Sequence, residues 1–196
     1  MSDTRERFIE AATSAFADRG FYGTSIAAIA DALPYTKQAL LHHFGSKERL
    51  YAEVLKRISD RLMREMDGFG AKASDTRQRL EDTFIGFYRS ALEHPDDTQL
   101  LMRELLDNKR RARVSRTWYL KAFLKTLTAR VREASPSGFR TQQAALAFAY
   151  QVLGAITYYV VSGPTLRQMF GKSEYTKLRS RYEAELRALI AARLGR

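Results

Sequence analysis

The stretch from Thr24 to Phe44 reads TSIAAIADALPYTKQALLHHF, and its order of apolar, polar and turn residues decides the fold around it. Thr24 and Thr36 each stand just before a short helical pattern, where a hydroxyl oxygen can accept an otherwise unpaired backbone N–H. From Thr24 the spacing predicts a helix that buries Ile26, Ile29 and Ala30, and from Thr36 a second that buries Leu40 and Phe44. Leu33 and Tyr35 plug the turn, and Ala30 is small where the two helices must cross closely. Two short helices joined by about four residues, the second opening on small polar side chains, let a helix N-terminus enter a DNA major groove. The outward face carries Thr36, Lys37, Gln38, Leu41 and His42. These offer hydroxyl, ammonium, amide, methyl and imidazole groups to phosphates and base edges.

Upstream, Asp3 stands three residues before Glu6, followed by Phe8, Ile9, Ala12, Ala15 and Phe16 on one helical face, with Gly20 past the end. Downstream, Gly45 and Ser46 mark a stop and a restart. Leu50, Val54, Leu55, Ile58 and Leu62 then recur at helical period from Lys47 to about Met66. In this frame Thr4 to Leu55, reading TRERFIEAATSAFADRGFYGTSIAAIADALPYTKQALLHHFGSKERLYAEVL, resembles the N-terminal domain of the TetR (tetracycline repressor) family. The likeness covers about a quarter of the chain, and its parts come in the family's order. Beyond Leu55 only size and helical character match.

The resemblance implies that Thr36, Lys37, Gln38, Leu41 and His42 face DNA and that Thr24 and Lys47 hold phosphates. Free backbone N–H groups at the two helix starts would make anion sites, with Ser46 as cap and Lys47 adding a mobile charge. It further implies a repressor of transcription released from its operator by a small molecule. Two positions depart from the family's usual pattern: Pro34 stands where the turn commonly has glycine, and Leu41 where the recognition helix often has tyrosine. Proline cannot take a left-handed φ, so the turn must be built differently. Leu41 cannot hydrogen-bond a phosphate and would offer apolar contact at most, for instance to a thymine methyl. His42 and His43 point about a hundred degrees apart on a helix and cannot grip one metal together; packing or capping suits His43, DNA contact His42.

The chain as a whole reads as all-α: an N-terminal three-helix DNA-binding domain at residues 1–46, then a larger helical effector-binding and dimerisation domain at 47–196. Gly68, Gly70 and Ser74 interrupt the apolar period as a linker. Leu80, Phe84, Phe87, Tyr88 and Ala91 form one stripe. Pro95 separates it from a short helix with Leu100, Leu101 and Leu105, and Val114 through Val131 reads as another helix ended by Ser135 to Gly138. Between Arg140 and Arg167 there is no charged residue. Gln142, Gln143, Gln151 and Thr157 interrupt that run and Ser162, Gly163 and Pro164 end it, leaving it short for a membrane span. Its own bundle on one side and a second subunit on the other are the better cover, which assigns a homodimer interface to Thr141–Val161 and Tyr175–Leu194. Phe84, Phe87, Tyr88, Trp118, Phe123 and Tyr158 are candidates to line an effector pocket, although aromatics at helical spacing form core as readily.

The net charge of +11 does not point to the helix-turn-helix, because residues 1–50 carry 6 basic and 6 acidic side chains. The excess lies in 96–140, with 11 basic and 5 acidic residues, and in 141–196, with 8 and 3. The run Lys109, Arg110, Arg111, Arg113 and Arg116 reads as a solvated helix face, or as an attractor for an acidic effector head group or a protein partner. The absence of cysteine fits a reducing compartment, and no secretory signal is visible, so a cytoplasmic protein is expected. An enzyme is disfavoured, since there is no Gly-rich phosphate loop, HExxH, nucleophile elbow or cysteine; no cofactor and no metal is expected. An architectural DNA-binding protein would carry its charge on the DNA-binding part. A membrane-surface helix protein is the remaining rival.

Overall fold

The computed structural model describes residues 2–111 and 119–195, and every regular element among them is a helix. The first, α1 (Ser2–Gly23), buries Phe8, Ile9, Ala12 and Phe16 and is broken at Gly20, whose φ of 71° lies where an L side chain is disfavoured. Helix α2 (Ile26–Asp31) is capped by Ser25, whose side chain accepts the Ala28 amide at 3.0 Å. The cap expected at Thr24 is therefore one residue late in the chain. The Thr24 hydroxyl instead donates inward to the carbonyls of Gly20 at 2.8 Å and Ala15 at 3.0 Å, serving carbonyls left over where α1 ends. Thr36 does cap α3 (Lys37–Phe44), accepting from the Ala39 amide at 3.1 Å. Gly45 (φ 78°) ends α3, and Ser46 accepts the Arg49 amide to start α4 (Lys47–Gly68).

Asp75 caps α5 (Thr76–Glu93), and Pro95, which needs no N–H in a first turn, opens α6 (Pro95–Arg111). Helix α7 (Leu120–Ala134) is the described part of the helix expected from Val114; residues 112–118 lie outside the described residues. Thr141 caps α8 (Gln142–Leu194). The expected stop at Ser162 to Pro164 is not where α8 breaks. Pro164 is accommodated inside the helix, and the break falls at Gly171, whose φ of 81° and ψ of 163° are open essentially only to glycine. Two arms result, 142–170 and 172–194.

The helices group into two units. The first comprises residues up to Asp60 together with Asp96–Tyr119. The first part of α4 and most of α6 thus belong with the N-terminal helices, so the unit boundary does not follow the linear division at 46/47. The reason is local: Leu50, Tyr51, Val54 and Ile58 of α4 are buried. Arg103 of α6 also donates to the carbonyls of Ala17 at 2.6 Å and Asp18 at 2.5 Å. The second unit, Arg61–Pro95 with Leu120–Arg196, packs α5, α7 and α8 around Phe84, Leu127, Ala149, Val152, Leu186 and Ile190. The uncharged part of α8 supplies much of this core, and α8 is also long and apolar enough to cross a membrane.

Candidate nucleic-acid interface

The first unit holds α3 down by one face only. Leu40 and Phe44 are buried, and His43 packs beside Phe8 with ring centroids 5.8 Å apart, the packing role expected for it. Across the turn, Ile29 and Ala30 are fully buried. The connection that Pro34 prevents from using a left-handed residue is made without one: α2 ends on Ala32 in the right-handed region, and the Leu33 amide donates to the Ala30 carbonyl at 3.0 Å. Tyr35 then turns back onto α1. Its ring lies 5.1 Å from that of Phe8, and its hydroxyl oxygen accepts from Arg7 at 3.2 Å. The plug role of Tyr35 is legible in the sequence, whereas no local spacing reveals its Arg7 partner.

What this leaves to solvent is the start of α3 and one residue of its last turn. Thr36, Lys37, Gln38 and His42 are exposed and Leu41 is half-buried, so five of the expected contact residues share one short helix and its cap. The other two are placed differently. Thr24 is only 2% exposed, and its hydroxyl is committed to α1 carbonyls, so its side chain is turned away from any phosphate. Lys47 is not a mobile charge. Its Nζ donates to the carbonyls of Phe21 and Thr24, both at 2.9 Å, and lies 4.3 Å from the centre of the Phe21 ring. A cation at unpaired carbonyls is the favourable charge for a helix end, which accounts for the lysine without a ligand. The α4 N-terminus is likewise provided for internally: Ser46 caps it, and hydrogen bonds from the Glu48 backbone and the Ser46 side chain hold the Glu48 carboxyl below its ordinary range. Ser25, exposed at the start of α2, was hidden in the sequence by its hydroxyl neighbour Thr24.

In the second unit Phe84, Phe87, Tyr88 and Phe123 are all buried, with Phe87 and Phe123 in edge contact at 5.1 Å. Tyr158 is 73% exposed and so does not line an interior pocket with them. One residue along a helix rotates the side chain by about a hundred degrees, and it is Tyr159 that faces the core, stacked on Tyr182 at 3.7 Å. Trp118 and Arg113 and Arg116 of the basic run lie outside the described residues.

The sequence profile of bacterial regulatory proteins of the tetR family matches residues 8–54. The HTH-type transcriptional activator FasR of Mycolicibacterium smegmatis is 32% identical over 52% of this chain and 46% of its own length. The HTH-type transcriptional repressor KstR2 of the same organism is 32% identical over 46% and 43%. The chain thus spans about half the length of the curated relatives it matches. Among solved structures, ketosteroid transcriptional regulator KstR2 of Mycobacterium tuberculosis superposes with a TM-score of 0.67 at 21% identity, over 94% of this chain and 93% of that one. Fatty acid degradation regulator FadR of Bacillus halodurans gives 0.70 at 16% identity, over 95% and 93%. At 16% and 21% identity these likenesses concern the fold alone. Residues 8–54 thus carry the N-terminal domain of the tetR family of bacterial regulatory proteins, and the fold beyond them resembles that of solved regulators.

Proposed function

We propose that the protein is a DNA-binding transcription regulator of the TetR type, a repressor that leaves its operator when a small molecule occupies the second unit. The observation that carries this reading is the exposed surface of α3, where Thr36, Lys37 and Gln38 at its start and His42 in its last turn are open to solvent while Leu40 and Phe44 anchor the helix. Gln38 reads a base edge, its amide suited to adenine, while Lys37 and the Thr36 hydroxyl contact phosphate. Leu41, half-buried, adds apolar contact. For Lys47 the proposal is now a supporting role through the α1 end, and for Thr24 a contact through its backbone alone. A chromosomal operator as target places the protein in the cytoplasm.

The working form is a homodimer. On arm 142–170 Tyr150, Tyr158 and Val161 recur at helical spacing with 50%, 73% and 37% exposure, and on arm 172–194 Leu178 and Leu189 are 39% and 54% exposed. Such apolar area on two neighbouring helices of one chain suits a second copy. Leu186, within the same Tyr175–Leu194 stretch, is only 3% exposed and packs within the unit, so it lies outside this face. A twofold dimer presents α3 twice, and its site is a near-palindrome with half-sites about one helical turn apart. Selection of bound fragments from a random duplex library tests this directly. The expected outcome is a palindromic motif that loses preference at one base per half-site, by about 1–3 kcal/mol, with Gln38→Ala. An unchanged motif would remove the base-reading role.

A further inference from the structure

Residues 1–50 balance 6 basic against 6 acidic side chains, yet the cations differ in what they already hold. Arg5 pairs with Glu53 at 2.8 Å and Arg19 with Asp18 at 3.3 Å, while Lys47 is taken by the carbonyls of Phe21 and Thr24. Arg7, Lys37 and Arg49 are exposed and make no ion pair with a described residue. All three adjoin one short helix. Lys37 is the first residue of α3, and a Cβ on Gly45, which ends α3, would lie 3.3 Å from the Arg49 guanidinium. Arg7 is held by Tyr35, the residue directly before the Thr36 cap. Pairing elsewhere in residues 1–50 thus leaves the uncompensated positive charge around the proposed recognition helix.

Of the three, Arg7 has the most structure built around it. Its Nη1 donates to the Tyr35 hydroxyl oxygen at 3.2 Å, and its Cζ lies 5.5 Å from the centre of the Tyr35 ring. Tyr35 is itself fixed, half-buried with its ring 5.1 Å from that of Phe8. A cation stacked on an anchored ring has given up rotamer freedom before any ligand arrives, so binding costs less. The remaining donors point the same way. A guanidinium presents several N–H groups in a planar fork, and Arg7 spends a single one on Tyr35. The carboxylates Glu6 and Glu10 of the same helix meet Arg57 instead, at 3.0 and 3.8 Å. The Tyr35 hydroxyl oxygen accepts from Thr4 at 3.4 Å as well as from Arg7, which occupies both of its lone pairs and leaves its own proton to donate. A charged fork beside a neutral O–H donor matches the oxygens of one phosphate.

We propose that Arg7 and Tyr35 form a phosphate clamp that grips the DNA backbone beside the start of α3. The clamp rests on the DNA-binding reading above and extends its contacts to α1, which supplies none of the contact residues named so far.

Binding of the full chain to a duplex carrying its selected motif and to a scrambled duplex, each over a range of salt, tests the clamp. Arg7→Gln is expected to weaken both duplexes alike by about 10-fold and to reduce the slope of log affinity against log salt by about 0.9 for each copy bound. Its unfolding midpoint should be unchanged, because Arg7 is exposed. Tyr35→Phe keeps the ring on Phe8 and the cation over it. It should weaken both duplexes about 3-fold and leave the slope alone, because a neutral donor is lost and the charge stays. Arg19→Gln removes the same charge from the other end of α1 and should leave affinity and slope as they are. A slope that Arg7→Gln lowers no more than Arg19→Gln does would overturn the clamp, and so would Tyr35→Phe binding as tightly as the natural chain. A lowered midpoint with an unchanged slope would also overturn it, since Arg7 would then only tie α1 to the turn. A natural chain that binds neither duplex overturns the DNA-binding reading and the clamp together. An unchanged slope in Arg7→Gln, with Gln38→Ala still altering the selected motif, overturns the clamp alone.

Discussion

Lys47 opens α4 but serves the end of α1, and that displacement separates two lysines which the sequence puts on equal footing. Its ammonium holds two carbonyls and lies over the Phe21 ring, whereas Lys37 is exposed at the start of α3. Lys47→Ala is therefore expected to destabilise the first unit by about 1–3 kcal/mol, read as a lowered midpoint in thermal or urea unfolding. Lys37→Ala should leave that midpoint alone. It should instead reduce the slope of log affinity against log salt by about 0.9, the signature of one lost phosphate contact. A Lys47 variant of unchanged stability with a flattened salt slope would restore the phosphate role to Lys47. The neighbouring pair Thr24 and Ser25 shows why such roles are hard to read. Both residues can cap, both precede the same apolar pattern, and only the packing of Thr24 against Ala15 and Gly20 decides between them.

Elements were legible where their signals are local and obscure where a distant contact decides. The Thr36 cap, the Gly45 stop, the Ser46 restart and the helical stripe of α5 are all carried by residues within one turn of each other. The break in α8 is not legible in the sequence because proline is the louder local signal, whereas Gly171 takes the backbone angles the turn between arms requires. Gly86 is a similar case inside α5. Alanine there should favour the helix by about 1 kcal/mol on propensity alone, yet a Cβ at Gly86 would fall onto the Phe69 ring. We expect Gly86→Ala to destabilise by about 1–3 kcal/mol and a Phe69→Ala background to remove that penalty, a double-mutant cycle in urea. The contact between α5 and α8 also sets an alkaline limit. Burial raises the Tyr88, Tyr159 and Tyr182 phenols, with Tyr88 and Tyr175 adding to the effect at Tyr159. Above the ordinary tyrosine value of about 10 the unfolded chain releases these protons first. Stability should then hold below pH 10 and fall as pH rises beyond it, less steeply in Tyr159→Phe; an unfolding midpoint flat to pH 11 would contradict the buried-phenol account.

For the whole molecule, charge and apolar surface are distributed so that neither alone would account for the proposed DNA binding. Residues 1–50 are balanced, with 6 basic and 6 acidic side chains, while the basic excess lies beyond residue 95. Under the proposed function a single copy would therefore bring little bulk attraction to its half-site, and useful affinity would depend on two copies engaging together. That links the operator to the exposed stripe on α8. Tyr158 and Leu189 have 73% and 54% of their surface exposed, so a lysine at either site is compatible with the folded chain, unlike one at Leu186, which would place a charge in the core. Tyr158→Lys and Leu189→Lys are expected to sediment as monomers with unchanged helical circular dichroism and unfolding midpoint, and to bind the full palindrome no better than a single half-site. Two folded, dimeric variants would move the interface elsewhere on the chain; monomers that still favoured the full palindrome would show that dimer formation does not underlie its recognition.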